Sequence, residues 1–306
     1  MRTLPNGLAG PTVFRPVSVQ PDIFEEIVRL RAEGIPAALA TIVGTRGSTP
    51  GRATMRLLVL ADGTFLGTVG GGCLEAEVYD VALQVLADEK SQSLKFRLTE
   101  KDSPDSGLMC GGEVTIFVEP ITTPVLWMFG GGHVSKALGQ IASLAGFRVT
   151  IVDDREAYAN GERFPEAHGT ITAPFPEAVA QMPIQQNSYA IAVTRGHKED
   201  GIVLEAFAKR FAAGEQLKFL GMIGSKTKQA LLWKQLREAG VGDDFLDSVR
   251  TPMGVYLGGR THEEIAVSVV AELIAVRRLG HDLKSSWQER DQDPARNEGV
   301  RDLPID

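Results

Sequence analysis

The chain has 306 residues, 43% of them apolar and 23% charged, and 32 basic against 39 acidic side chains give a net charge of −7. That length and apolar share can build a core without disulfide or metal staples. The acidic balance, with no basic face, argues against nucleic acid or anionic lipid as the main partner. The longest uncharged runs, 120–135 and 178–194, are broken by glycines, glutamines and a proline. Neither reaches the roughly 18 to 20 apolar residues of a membrane span. Cys73 and Cys110 are the only cysteines. This excludes a disulfide framework and, with no secretory signal at the start, reads as a reduced, cytoplasmic protein.

In chain order, residues 1–22 read as an extended arm punctuated by prolines. A short amphipathic helix follows at IFEEIVRLRAEG, then strands at 37–44, 55–60, 64–69 and 113–119. The pair MRLLVL and TFLGTV, separated by ADG, carries a hairpin signal. A helix from Leu74 places Leu74, Val78, Val81 and Val85 on one stripe. Residues 23–121 are therefore expected to form a small α+β domain.

From residue 124 the pattern alternates. Strand VLWMF (125–129) leads to a helix from His133, and strand RVTIV (148–152) follows. YAIAVT (189–194), a helix after Asp200, KFLGMI (218–223) and a helix from Ser225 come next. Such alternation implies right-handed βαβ units and a parallel sheet covered on both faces. The last helix, 262–279, is apolar nearly all round, and Thr261 and Glu264 stand at capping-box spacing before it. The expected fold is thus α/β: a Rossmann-like parallel-sheet domain (124–280), preceded by the smaller α+β domain and followed by an acidic tail (281–306).

Two glycine turns carry the chemistry. Gly130, Gly131 and Gly132 lie between a strand and the helix that opens at His133, and Asp153 closes the next strand. In a dinucleotide fold the glycines let the backbone approach a pyrophosphate at the helix N-terminus, and the acid takes ribose hydroxyls. Ser135 stands at the third glycine position, and Arg155 leaves open the choice between a 2′-hydroxyl and a 2′-phosphate. The bland alternative is a well-packed βαβ unit that binds no dinucleotide.

The second turn is Gly70, Gly71 and Gly72, again between strand and helix, with Cys73 where a helix dipole favours a thiolate. A small buried residue in a tight turn would explain Cys73 equally well. Cys110, beside Gly111 and before a strand, suits a soft ligand role toward a metal or sulfur species. Weaker candidates are Arg46 and Ser48 in a polar loop, His197 at a strand end, and Ser225, which also reads as an ordinary N-cap. No GxSxG elbow, Walker loop, HExxH or paired-acid signature appears.

Taken together, GTRGSTPG (44–51), VGGGCLEAEV (69–78), MCGGEVTIFVEP (109–120), FGGGHVSKAL (129–138), VDDR (152–155), TRGHKED (194–200), GMIGSKTK (221–228) and the segment 251–278 resemble the XdhC/CoxI family of molybdenum-hydroxylase maturation factors. The chain departs from the usual family pattern at Ser135, Arg195, Gly259 and His262. The resemblance implies a protein that binds molybdenum cofactor, supports its sulfuration with a cysteine desulfurase and delivers it to a xanthine dehydrogenase-type hydroxylase. It points to Cys110 as the molybdenum contact, with Cys73 and the two glycine turns as further cofactor contacts. A homodimer is expected, because the helix 262–279 is very apolar. The competing reading is an NAD(P)-dependent oxidoreductase resting on the Rossmann-like half, with His133 or His197 as proton donor. A third is a redox-sensing dithiol, which needs Cys73 and Cys110 side by side.

Overall fold

The computed structural model describes residues 22–97, 112–185 and 187–280. Asp22 starts the first helix by accepting the Phe24 N–H at 2.8 Å, and α1 (Ile23–Glu33) closes on Gly34 in the left-handed region at φ +75°. Next come β1 (Ala37–Arg46), β2 (Arg56–Leu60), β3 (Phe65–Gly67), α2 (Gly72–Asp88), β4 (Gln92–Arg97) and β5 (Glu113–Ile121). They form an antiparallel sheet in the order β3-β2-β1-β5-β4. Ala38, Ala40 and Ile42 of β1 and Val114, Ile116 and Val118 of β5 point to one face, where Leu74, Val78 and Val85 of α2 cover them. On the other face Leu39 and Leu58 pack with Leu30 of α1. Alternation along each strand thus feeds two thin cores.

The second half contains β6 (Val125–Phe129), α3 (His133–Leu144), β7 (Arg148–Asp153), β8 (Gly169–Thr172) and α4 (Phe175–Gln181). It continues with β9 (Ser188–Ala192), α5 (His197–Ala212), β10 (Phe219–Met222), α6 (Lys226–Glu238), α7 (Asp243–Ser248) and α8 (His262–Leu279). The sheet is parallel, in the order β10-β9-β6-β7-β8. Strand order therefore reverses between β6 and β9, the switch point at which open α/β sheets bind ligands. Trp127 and Phe129 enter the core beneath α4 to α7, whereas Leu126 and Met128 enter the one beneath α3 and α8. Burial on both faces explains the near-continuous apolar runs.

Several element boundaries differ from expectation. The helix expected after Asp200 begins at His197, so Asp200 lies inside its first turn and is fully buried. The helix expected from Leu74 begins at Gly72. Strands β4 and β8 and the short helices α4 and α7 were not expected. Helix α8 matches the expected span, and both halves of its capping box form. It is not buried all round, since Val267 and Ile274 face solvent.

The two sheets meet at a narrow joint. Asn187, just before β9, donates from Nδ2 to the Thr123 carbonyl at 2.5 Å and to the Gly34 carbonyl at 3.3 Å. Its own carbonyl accepts the Val125 N–H at 3.1 Å. Arg148 at the start of β7 donates to the Ala32 carbonyl, and Lys218 just before β10 pairs with Glu89 beyond α2. Every one of these contacts uses the amino edge of the parallel sheet. Among the described residues no helix or strand of one half packs along an element of the other.

Candidate functional site

The β6–α3 turn is built from three glycines with different constraints. Gly130 has φ +112°, and a Cβ there would sit 2.3 Å from the Val193 carbonyl oxygen. At Gly131 a Cβ would lie 1.9 Å from the Tyr158 carbonyl oxygen. Gly132 is the N-cap of α3 with an ordinary φ of −68° and open space where a Cβ would point. Two of these glycines therefore answer to packing, and the third faces the cleft. Ser135, buried at the third fingerprint position, donates its hydroxyl to the Gly130 carbonyl at 2.6 Å and staples the turn from inside.

Asp153 lies beneath the same turn and is 1% exposed. One carboxylate oxygen accepts the Gly131 N–H at 2.8 Å and Arg155 Nη2 at 3.1 Å. The other accepts Arg155 Nε at 2.8 Å and the Arg155 N–H at 3.1 Å. Burial alone would push this carboxyl up, but the Arg155 and Gly131 bonds outweigh it and hold it below its ordinary value. The Arg155 guanidinium lies 3.7 Å from the centre of the Tyr158 ring. Arg163 Nε reaches the Gly131 carbonyl at 2.8 Å. The segment after β7 thus packs down on the glycine turn.

The next turns run along the same carboxyl edge. Thr194 donates its hydroxyl to Asp200 at 2.7 Å, and Lys228 of α6 pairs with the other Asp200 oxygen. Lys228 also donates to the Ile223 carbonyl at 3.0 Å, so this buried carboxylate locks the β9 turn to the β10 turn. Arg195 pairs with Asp154 at 2.9 Å and with Glu199 at 3.2 Å. His197 is exposed at the first position of α5. Ser225 caps α6 by accepting the Lys228 N–H at 3.2 Å. The rings of His133 and His262 stack 5.6 Å apart at the starts of α3 and α8.

Helix ends differ around this edge. Ser225 and Thr261 cap α6 and α8 with side chains, whereas Gly132 and Gly196 begin α3 and α5 without a side-chain cap. Helices α3 and α5 follow β6 and β9, the strands that flank the switch point, and the shorter α4 after β8 also lacks a side-chain cap. Helix starts favour an anion, and at α5 the Glu199 carboxylate already bonds its own N–H and lies 3.3 Å from where a Cβ on Gly196 would sit. Two cavities lie beside the turn between β10 and α6, and the smaller reaches the start of α5. One of about 550 Å³ is lined by Ser225, Met253, Tyr256, Leu257 and Arg260. The other, of about 490 Å³, is lined by Gly196, His197, Ser225, Thr227 and Lys228.

The remaining candidates gather on the antiparallel sheet, at the end of β1 away from the joint. Arg46 closes β1 opposite Glu113. A Cβ on Gly112 would meet the Ser48 carbonyl oxygen at 2.2 Å, and one on Gly51 the Val69 carbonyl oxygen at 2.5 Å. Gly70, Gly71 and Gly72 have φ values of +124°, +76° and +65°, a run that side chains resist. This turn is not an empty cradle. Glu75 accepts the Val69 N–H at 3.1 Å, the Gly71 N–H at 3.2 Å and the Thr68 hydroxyl. Cys73 is exposed at the start of α2. Cys110 and Gly111 lie outside the described residues.

Two groups of site residues therefore result. Gly130 to His133, Asp153, Arg155, His197 and Ser225 share the carboxyl edge of the parallel sheet. Arg46, Ser48, Gly70 to Gly72 and Cys73 share the far end of the other. Asp200, Lys228, Arg260 and Glu75 were not singled out from the sequence. Asp200 and Glu75 each sit in the first turn of a helix, where an acid reads as an ordinary dipole partner.

A parallel sheet with this strand order and a glycine turn at its switch point defines a Rossmann-type protein. Residues 126–273 match the model of the XdhC Rossmann domain, and residues 30–97 match that of the XdhC and CoxI family. The chain belongs to the XdhC/CoxI family. It is 33% identical over 84% of its length to the uncharacterized protein YqeB of Escherichia coli (strain K12). It spans about half of that relative, covering 46% of it. A probable xanthine dehydrogenase subunit of Bacillus subtilis (strain 168) is 24% identical over 79% of this chain and 93% of its own length. The molybdenum cofactor insertion chaperone PaoD of E. coli (strain K12) is 26% identical over 80% of this chain and 84% of its own. No helix among the described residues is long and apolar enough to cross a membrane.

Proposed function

We propose that this chain binds molybdenum cofactor, supports its sulfuration by a cysteine desulfurase and delivers it to a xanthine dehydrogenase-type hydroxylase. The observation that carries this reading is the carboxyl edge of the parallel sheet. Two uncapped helix starts flank its switch point, open space lies over Gly132, and cavities of about 490 and 550 Å³ lie farther along the edge at the β10–α6 turn, the smaller reaching Gly196 and His197. Pockets of this size suit small organic ligands, which occupy roughly 300–1,000 Å³. Family membership and similarity to an insertion chaperone support molybdenum cofactor among such ligands.

The residues present suit the group. A molybdopterin carries a phosphate, which matches the N–H groups after Gly132 and Gly196 and the cation of Arg260. When bound, the cofactor supplies a soft molybdenum–sulfur centre, for which a thiolate is the natural protein partner. The exposed Cys73 offers a thiol at the far end of the antiparallel sheet and Cys110 is proposed as the direct contact, so a cofactor whose phosphate lies at the parallel-sheet edge would meet these thiols from the second copy of the proposed dimer. The chain's own work is to hold the phosphate, enclose the pterin and shield the metal from solvent. The homodimer belongs to the same proposal, with the exposed Val267 and Ile274 of α8 covered by the second copy.

Protein purified without oxygen should contain molybdenum and pterin in equal amounts. Cys110→Ser should retain the fold and lose cofactor roughly tenfold or more, by analogy with other perturbed metal-site shells. Cys73→Ser should lose less. Equal cofactor content in parent and Cys110→Ser protein would remove the ligand role. Light scattering that gives a monomer mass at every concentration would remove the dimer.

A further inference from the structure

We propose that the joint between the two halves binds a small neutral ring compound bearing an amide or lactam, in a cavity on the amino edge of the parallel sheet. This site lies at the opposite end of the strands from the carboxyl edge. It goes beyond the cofactor-binding reading and does not depend on it.

The cavity holds about 300 Å³ and lies where β6, β7, β8 and β9 begin. Val125, Trp127, Ile171 and Pro183 give it apolar walls. Glu33, the last residue of α1, adds a wall from the antiparallel half. Gln185 and Ser188 also line it and flank Asn187 in sequence, so a ligand here touches both halves beside the amide that joins them. The volume stands at the lower end of the small-molecule range, which suits one ring or two fused rings.

Two polar atoms of the lining residues are unsatisfied. Trp127 is 8% exposed, and its buried indole N–H has no acceptor among the described residues. The side-chain carbonyl of Gln185 is buried too and has no donor among them. The Gln185 backbone is fixed in place, its N–H donating to Ser188 Oγ at 2.9 Å. A buried donor or acceptor left unpaired is costly, and folded proteins keep few of them. One missing acceptor and one missing donor at a single cavity match one chemical group, a carbonyl beside an N–H.

Charge does not select the ligand here. Arg148 donates to the Ala32 carbonyl and contacts His168, and Glu33 pairs with Arg29 at 2.6 Å. Burial and the neighbouring Arg148 hold the His168 imidazole below its ordinary value, so it is neutral at pH 7. The charged groups of the wall are thus engaged, and the unused capacity is neutral.

An NMR titration of the full-length chain tests this with benzamide and 2-pyridone. Acetophenone, which keeps only the carbonyl, and benzoate, which keeps the shape but carries a charge, serve as controls. The indole N–H resonance of Trp127, assigned by its loss in Trp127→Phe, should move on adding either amide. Both amides should bind about fivefold tighter than either control, the worth of one neutral hydrogen bond. Gln185→Met, which keeps the length and removes the acceptor, should weaken benzamide about fivefold and leave acetophenone unchanged. Trp127→Phe should weaken both to a similar degree. Thermal melting reports whether each variant folds, and if Trp127→Phe does not, Gln185→Met decides alone. A Trp127 resonance that ignores both amides means that the cavity holds water only. Benzoate binding as tightly as benzamide means that the Arg148 cation selects the ligand. Parent-like benzamide binding by Gln185→Met removes the paired contact. Any of these three results overturns the inference.

Discussion

The Asp153 carboxylate holds the Gly131 N–H at 2.8 Å, joining the end of β7 to the turn that follows β6. This contact fixes the floor of the cleft, because Gly131 cannot shift without breaking a bond to a buried charge. Asp153→Ala should lower stability by roughly 2–3 kcal/mol, the range for lost hydrogen bonds to a charged group. The folded carboxyl titrates below its ordinary value, so its contribution is present above the unfolded value and fades as pH falls through the folded one. Urea denaturation should show a gap between parent and variant at pH 7 that narrows in acid. A gap that widens in acid would contradict the assignment.

Gly131 and Gly132 are neighbours with opposite tolerances. Gly131→Ala puts a methyl into the Tyr158 carbonyl and should cost about 1–3 kcal/mol, as overpacking does. Gly132→Val enters open space and should melt close to the parent while losing ligand. Parent-like ligand binding by Gly132→Val would make this turn purely structural.

Glu272 of α8 is 4% exposed and accepts the Gly254 N–H at 2.5 Å. Burial pushes its carboxyl up, against the lowering effects of that bond and of Arg250. Native protein therefore holds this proton to higher pH than unfolded chain does. The fold is helped at low pH and loses that help as pH rises from the ordinary glutamate value through the folded one. Glu272→Gln should melt near the parent in mild acid and above it at pH 8. A variant less stable than the parent at pH 8 would show that the charged form is the one the fold needs.

Glu75 carries the glycine turn before α2. Removing its carboxylate in Glu75→Ala leaves the Val69 and Gly71 N–H groups and the Thr68 hydroxyl without their acceptor. Amide exchange at Val69 and Gly71 should quicken while the α2 core amides, such as Val78, stay protected. Unaltered exchange at both would mean that the glycine conformations are held by the Gly51 contacts alone.

Much of this was legible in the sequence, for local reasons. Thr261, Glu264 and Gly280 mark both ends of α8, and Asp62-Gly63 turns β2 into β3. The glycine turn between β6 and α3 was visible because strand, turn, helix and acid fall in order. What escaped was short or directional. β8 has four residues and α7 six, too few for a period to show. The fate of Asp153 depends on Arg155 folding back over two residues, which spacing cannot reveal. Asp200 reads as a dipole partner until Lys228 arrives from 28 positions away. The alternation of β4 was available in QSLKFR, where Leu94 and Phe96 point inward between outward Lys95 and Arg97.

Asn187 acts as a pivot pin. One amide group grips the carbonyls of Gly34 and Thr123, the segment that leads into β1 and the segment that leaves β5. Any swivel of the antiparallel sheet about that pin leaves both cores intact, since among the described residues no helix of either half straddles the joint. β1 runs ten residues outward from it. At about 3.3 Å per residue it is a lever arm of roughly 33 Å, so a rotation of about 10° swings the loop that carries Ser48, together with the Cys73 turn packed on it, through roughly 6 Å. A few hydrogen bonds at the fulcrum thus set the reach of the thiol-bearing end.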